Sequence, residues 1–459
     1  MDAACLFAAA FARNRFEDLS PAVVDITKNQ ILDLMGVAVA GIGEPGAKQV
    51  VDLASNWGGR AESSVIGSKM KLPAPNAAQA NATMAHARDY DDVHETAVMH
   101  PGIVAITSAL AVAESVGGIS GREFITAVAL GSDMICRLGL ASRPGVSAIH
   151  TGWHYTTLYG YPTAALTAAR VLGLSEEQMN HAFGIAYHQC SGNGQAVTDG
   201  ALTKRLGPGF AVKGGIIAAL MAAGGVTGAR NSLEGEQGLF KLYHQGQYDR
   251  DLLVGDLGRR FEGLNVTLKP YPCCRGVHAS IDAALAIVGR HSIDPVEVEE
   301  IVLTTGEANH RLLCTPLENK VRPRNPVDSQ FSIPWGVATA LLKKRVVMED
   351  YSPAAVADPE MLGLAAKIRT AVDPALNSSR GVEPARLKVS MRNGQVYSAQ
   401  VDSARGSPTR PMTFDDCTRK FRDCVALADI PEAKATEAIQ LVAGLERAAD
   451  ACDLIRIFV

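Results

Sequence analysis

The sequence predicts a mainly α-helical protein with an α+β part. A large all-helical domain is built from both ends of the chain, and a smaller α+β lid domain is inserted between them. Three observations predict this. Up to about residue 230, apolar residues recur at helical spacing without strand-like alternation. After Leu264 the texture changes: 296–305 opens with period-two alternation, and 386–401 (RLKVSMRNGQVYSAQV) reads as two alternating runs joined at Asn393-Gly394, a strong hairpin signal. Beyond a linker at 406–411, residues 431–449 return to amphipathic helix. The expected domains are 1–264, 265–405 and a returning segment, 406–459.

The elements follow in order. Ser20-Pro21 opens a helix whose Val24, Ile31, Leu34, Met35 and Ala38 run to Gly41. A second helix carries Val50, Val51 and Leu53 to Trp57 and stops at Gly58-Gly59. Residues 76–86 form an Ala-rich helix, 103–116 a core helix apolar nearly all round, and 122–138 another with Gly131 as a close-packing point. A helix over 163–172 ends at Gly173, and Ser175 with Gln178 forms a capping box that opens the next. Residues 193–204 read as a loop delivering Lys204 to a small-residue helix. In the lid, helices are expected over 334–342 and 361–368.

Composition bounds the function. A chain of 459 residues is long enough for two or three domains. A net charge of -4 and a pI near 6.3 provide no basic field, which argues against nucleic acid as a partner. The nine cysteines are scattered without a CxxC pair, as in a reduced cytoplasmic protein. The N-terminal apolar stretch lacks a basic start and reads as a helix, not a signal peptide. Apolar runs stop short of the ~18 residues of a membrane span, so no membrane partner is expected.

The chemistry concentrates in residues 85–101, AHARDYDDVHETAVMHP, which hold Asp89, Asp91, Asp92 and Glu95 with His86, His94 and His100. The acidic residues are expected on a helix that shares Asp91, Asp92 and Glu95 on one side, with His100-Pro101-Gly102 marking the corner before the next. A DDxxE magnesium-diphosphate reading lacks its second acidic motif and any phosphate loop. His150 and His154 stand four apart, as metal ligands would, but without a matching third ligand. Gly192-x-Gly194 and Gly207-x-Gly209 follow no strand, which removes a dinucleotide fingerprint. Cys273 and Cys274 read as packing residues, so no metal and no cofactor is expected.

A different combination explains more: His100 and His154 as proton carriers, Lys204 and Lys269 as cations, and Arg275 as a planar fork for a carboxylate. Each of the histidines, His278 included, also fits a satisfied structural role, and Arg275 fits an internal ion pair. Two or three cations suit a small di- or tricarboxylate as the partner.

Six blocks carry a resemblance: RDYDDVH followed by HPG, GWHYTTLYG, TKRLGPGFAVKGG, KPYPCCRGVHASIDA, DSQFSIPWGVATALL, and RGSP before KF. In this order, over nearly the whole chain, they resemble the MmgE/PrpD family, which includes 2-methylcitrate dehydratase, cis-aconitate decarboxylase and iminodisuccinate epimerase. The resemblance implies a helical domain with an α+β lid, a homodimer, metal-independent chemistry, and an active site between domain and lid lined by Asp91, His100, His154, Lys204 and Lys269. Two positions depart from the family pattern. Gly207 stands where a histidine is common, and Trp335 where lyases of the family often carry a tyrosine; Tyr155 is the candidate substitute proton donor. The expectation is a cofactor-independent enzyme that abstracts a proton α to a carboxylate. A dehydratase of the 2-methylcitrate type comes first, an epimerase or a cis-aconitate decarboxylase as alternatives, and a non-catalytic carboxylate-binding protein as the rival of another class. For such chemistry a near-neutral base takes the proton while fixed cations meet the charge that develops. His100, His154, Asp91, Lys204 and Tyr155 are the catalytic candidates; Lys269, Arg275, His278 and Trp335 are the binding candidates.

Overall fold

The computed structural model describes residues 1–146, 151–378 and 382–459. The chain divides into two compact units: Met1–Ala87, Asp91–Leu268 and Thr413–Val459 in the first, Arg88–Tyr90 and Lys269–Met412 in the second. The architecture is mainly helical, with the α+β part confined to the second unit.

The first unit opens with α1 (Ala3–Arg13), α2 (Pro21–Ala40) and α3 (Ala47–Trp57). Ser20 caps α2 with its hydroxyl, Pro21 fills the first turn, and Gly41 ends it, as the residue pattern predicts. Two short strands, β1 (Ser63–Ser64) and β2 (Lys71–Leu72), pair antiparallel within a stretch read as wholly helical, a correction that four strand residues in all could not signal by alternation. Then come α4 (Ala74–His86), α5 (Pro101–Ser115) and α6 (Gly121–Ala141). In α5 every residue from Pro101 to Ala113 is buried. A Cβ on Gly131 would lie 2.7 Å from Thr167 Oγ1 and 2.9 Å from the Ala105 Cβ, so only glycine lets these helices approach.

Helix α7 (Tyr155–Val171) starts eight residues before the expected Thr163 and contains Pro162 within it. Helix α8 (Glu176–Tyr187) has the Ser175–Gln178 capping box in both directions. The expected loop over 193–204 contains a one-turn helix, Gln195–Thr198, and Lys204 already belongs to α9 (Thr203–Ala223), which packs on α4, α7 and α8. Helices α6 and α9 are each 21 residues and each contains an 18-residue window with a mean hydropathy of 1.5, long and apolar enough by those measures to cross a membrane. Charged residues interrupt both, Glu123, Asp133 and Arg137 in α6 and Lys204, Arg205 and Lys213 in α9, and 94% of the α6 window and 56% of the α9 window is buried within the protein.

In the second unit, α10 (His278–Arg290) and α11 (Ile333–Lys343) pack on each other beside a four-stranded sheet. Its order is β4-β3-β5-β6, with β3 Val298–Thr305, β4 Ile368–Val372, β5 Ala385–Met391 and β6 Val396–Val401. The hairpin falls where Asn393-Gly394 predicts, with Gly394 at φ 83°. Strand β4 replaces the end of a helix expected to Ile368: α12 covers Pro359–Ala365 only, and β4 then runs parallel to β3. The chain returns to the first unit as α13 (Phe414–Ala426) and α14 (Glu432–Ala443), shorter than the helix expected to 449. Lys420 of α13 pairs with Asp33 of α2 at 2.7 Å, both almost fully buried, fastening the end of the chain to its beginning.

Candidate active site

Residues 87–100 form no helix, which overturns the shared acidic face. Each carboxylate goes elsewhere. Asp91 meets imidazoles; Asp92 accepts from Gln30 Nε2 at 2.6 Å and from the Gly102 N–H at 3.0 Å; Glu95 accepts from Thr267 Oγ1 at 2.8 Å. A β-bridge pairs Val93 with Thr267 and a second pairs His94 with Met99. Side chains that capture backbone N–H groups in this way compete with helix formation. Val98 takes a left-handed conformation, φ 52°, uncommon for a β-branched residue.

The loop joins two histidines at helix ends. His86 is the last residue of α4, and His100 is the N-cap residue of α5. Asp91, fully buried, lies between them: its carboxylate is 3.0 Å from His86 Nδ1 and 3.1 Å from His100 Nδ1. His100 Nδ1 also lies 2.7 Å from the Asp92 carbonyl oxygen, which only accepts. That nitrogen therefore carries the proton, and in the neutral ring Nε2 is the basic one. Burial alone would raise the Asp91 carboxyl; the His100 and His86 rings outweigh it and hold it well below the usual carboxylate range. Asp92 goes the other way, pushed up to about 7 by burial and by the charges of Asp91 and Asp33.

His154 is the N-cap residue of α7, and its Nδ1 meets Thr157 Oγ1 one turn on at 2.7 Å. Its ring centroid is 6.2 Å from that of His86, which is 4.8 Å from His100. Lys204, buried in the first turn of α9, is close enough for its charge to lower the His86 pKa. Asp91, His100, His154 and Lys204 are thus brought together, and His86 stands in their middle. His86 is a site residue beyond those expected from the sequence. The signal was there: it ends a helix buried along its length, immediately before the acidic stretch. Gly207 is explained sterically, since a Cβ there would lie 2.4 Å from Thr157 Oγ1. His150 lies outside the described residues, and with it the His150/His154 spacing.

Tyr155 joins an aromatic group instead, its ring 5.1 Å from Tyr159 and 5.7 Å from His244. Burial raises its pKa, so it keeps its proton. His244 accepts from or donates to Tyr159 Oη at 2.7 Å, and burial lowers its pKa to about 4.

The binding candidates of the second unit behave differently. Lys269 is 1% exposed; its Nζ donates to the Asp89 carbonyl oxygen at 2.7 Å and lies 3.4 Å from the Asp89 carboxylate. Arg275 does not present an open fork: it donates to the carbonyl oxygens of Arg405 at 2.7 Å and Ala404 at 3.1 Å, and to His278 Nδ1 at 3.0 Å. His278, fully buried, donates from Nε2 to the Cys273 carbonyl oxygen at 3.2 Å, so both ring nitrogens are used internally. Trp335 is 0% exposed and donates its indole N–H to the Asp350 carbonyl oxygen. Arg275, His278 and Trp335 thus each make hydrogen bonds within the protein.

Fold and cluster together define a class: a helical protein with an α+β unit, carrying a buried carboxylate shared by two imidazoles, the equipment of acid–base chemistry. Sequence profiles narrow it. The MmgE/PrpD N-terminal domain matches residues 6–251 and the MmgE/PrpD C-terminal domain residues 271–446. The chain belongs to the MmgE/PrpD family and is an enzyme of that family. It is similar to the cis-aconitate decarboxylase of Aspergillus terreus, 26% identical over 461 residues that cover 96% of this chain and 92% of the relative. The cis-aconitate decarboxylases of Mus musculus (24% identical; 88% of this chain, 83% of the relative) and Homo sapiens (25%; 91% and 86%) are also similar.

Proposed function

We propose that this enzyme is a cofactor-independent lyase for a small di- or tricarboxylate, with decarboxylation of a cis-aconitate-like acid as the first activity to test. The observation that carries the proposal is the Asp91 carboxylate held between the Nδ1 atoms of His86 and His100. That arrangement leaves the Nε2 of His100, a ring with 12% side-chain exposure, as the base. His154 is the second proton carrier, and Lys204 meets the negative charge of a substrate carboxylate. In decarboxylation the bond to the carboxyl carbon breaks, CO2 leaves, the electron pair stays on carbon, and the imidazolium of His154, the second proton carrier, supplies the proton of the new C–H bond. The names of the three relatives support this order of testing.

One observation favours a second reading, dehydration of a 2-methylcitrate-like acid. Trp335, where lyases of the family often carry a tyrosine, donates its indole N–H to the Asp350 carbonyl oxygen. A histidine would then take the α-proton, the electron pair would form the double bond, and the other imidazole would protonate the departing hydroxyl. The experiment is incubation with cis-aconitate, 2-methylcitrate and an amino-dicarboxylate in deuterated water, with products read by NMR and CO2 measured. Deuterium incorporation that survives both His100→Gln and Lys204→Met removes these residues from the mechanism. The homodimer that the resemblance implies belongs to the proposal and is tested by sedimentation.

A further inference from the structure

His86 has a chemistry that none of the roles above uses. It is fully buried, its Nδ1 lies 3.1 and 3.0 Å from the two Asp91 oxygens, and its Nε2 makes no hydrogen bond among the described residues. A proton on that Nε2 would be a buried donor without an acceptor, which is costly; a bare lone pair on a neutral ring costs less. Nδ1 therefore holds the single proton and donates it to Asp91. Asp91 thus serves two rings, yet only one of them, His100, reaches the surface of the cluster.

We propose that His86 is a positioning residue: a neutral donor that occupies part of the Asp91 carboxylate, so that His100 alone takes and releases the catalytic proton. The groups facing this pair within the unit are Asp91 and the Asp92 carbonyl from the loop, His154 at the start of α7, and Lys204 in the first turn of α9. Lys204 and burial both disfavour a second positive charge at His86, whose pKa is lowered to about 4 against the pull of Asp91.

The inference rests on His100 acting as the base, and two arms keep the two ideas separable. In the first arm, pH–rate profiles compare the wild type with His86→Leu and His86→Asn. Leucine removes the donor, so Asp91 turns wholly to His100 and the acid limb moves up by about one pH unit, a tenfold loss of rate on the limb. Asparagine can replace the Nδ1 donor with its amide N–H and keeps the limb in place, whatever its kcat. An unmoved limb in His86→Leu, or the same displacement in both variants, overturns the proposal. In the second arm, 15N NMR of the wild-type ring nitrogens finds His86 neutral, with the proton on Nδ1, from about pH 6 to 8. A titration in that range, or a proton on Nε2, overturns it without reference to activity or to folding of the variants. Absence of wild-type turnover on every acid tried would sink the functional reading instead, while the NMR arm would still decide the role of His86.

Discussion

The imidazole cluster of the first unit and the Arg275–His278 knot of the second are built from the same kinds of residue, and both are buried. They differ in unused capacity. In the knot, the Arg275 guanidinium ends on two backbone carbonyls and a ring nitrogen, and His278 spends its other nitrogen on Cys273. In the cluster, the Nε2 of His86 makes no hydrogen bond among the described residues, and the environment of His100 fixes its proton on Nδ1 and leaves Nε2 for a ligand. Dense titratable residues mark a site when some of that capacity remains after the protein has satisfied its own needs. When none remains, they are a brace.

His100 is where a substitution should cost the most activity. His100→Gln should lower kcat about 10^3-fold, within the range for loss of a general base, while the melting temperature stays close to that of the wild type. Arg275→Met should do the reverse. It strands the buried Ala404 carbonyl and His278 Nδ1 together with the half-buried Arg405 carbonyl and costs about 3 kcal/mol of stability, measured by denaturant unfolding. The activity per folded molecule should be largely retained. A stable Arg275→Met protein that binds its carboxylate poorly would return Arg275 to the ligand-contacting role and dissolve the distinction.

That distinction was half legible in the sequence. Helix starts with a capping residue were read to the residue, as at Ser20 and Ser175, because a cap is a local bond between neighbours. The residues of the cluster could be named because histidine and aspartate are conspicuous in Ala-rich surroundings. What each does with its hydrogen bonds could not, since the partners are distant: Gln30 reaches Asp92 across 62 positions, and Arg275 reaches Arg405 across 130. The acidic loop was misread as helix because i, i+4 spacing is necessary for a helical face but not sufficient. Strand β4 was missed because its five residues gain their order from parallel pairing with β3, over 60 residues earlier in the chain. Helix α7 was begun too late because Pro162 and the aromatic and β-branched residues around it have low helix propensity, which burial of the entire element overrides.

Within the cluster, Asp91 and Asp92 are neighbours that titrate in opposite directions, and this gives the next effect. The Asp92 carboxyl is raised from 3.8 to about 7 in the folded protein, chiefly by burial. The folded state therefore holds a proton that the unfolded chain has released. Its contribution to stability is complete below about pH 4 and is lost as the pH rises through about 7. Asp92→Asn removes the dependence. Relative to the wild type, the variant should gain about 4 kcal/mol between pH 4 and pH 8, as followed by urea unfolding at each pH. A constant difference across that range would mean that Asp92 is ionised throughout.

In the brace, His278 gives a smaller change. His278 lies well below its ordinary 6.5, first because it is buried and second because the Arg275 guanidinium stands against it. Here the sign is opposite to that of Asp92. The unfolded chain takes up a proton near pH 6.5 that folded His278 refuses, so stability is present above that pH and falls as the pH drops below it. His278→Gln cannot titrate. It should be less stable than the wild type at pH 7.5, because its amide cannot reproduce both ring contacts, and the gap should narrow by about 1 kcal/mol on going to pH 5.5. His86 and His244, lowered to about 4, push the wild type in the same direction, so the relevant quantity is the change in the gap and not the slope of either protein alone. A gap that stays constant would mean that His278 accepts a proton inside the fold. The Arg275 guanidinium would then have to turn from His278 Nδ1 toward another acceptor, and the knot would have the spare capacity that separates the cluster from it.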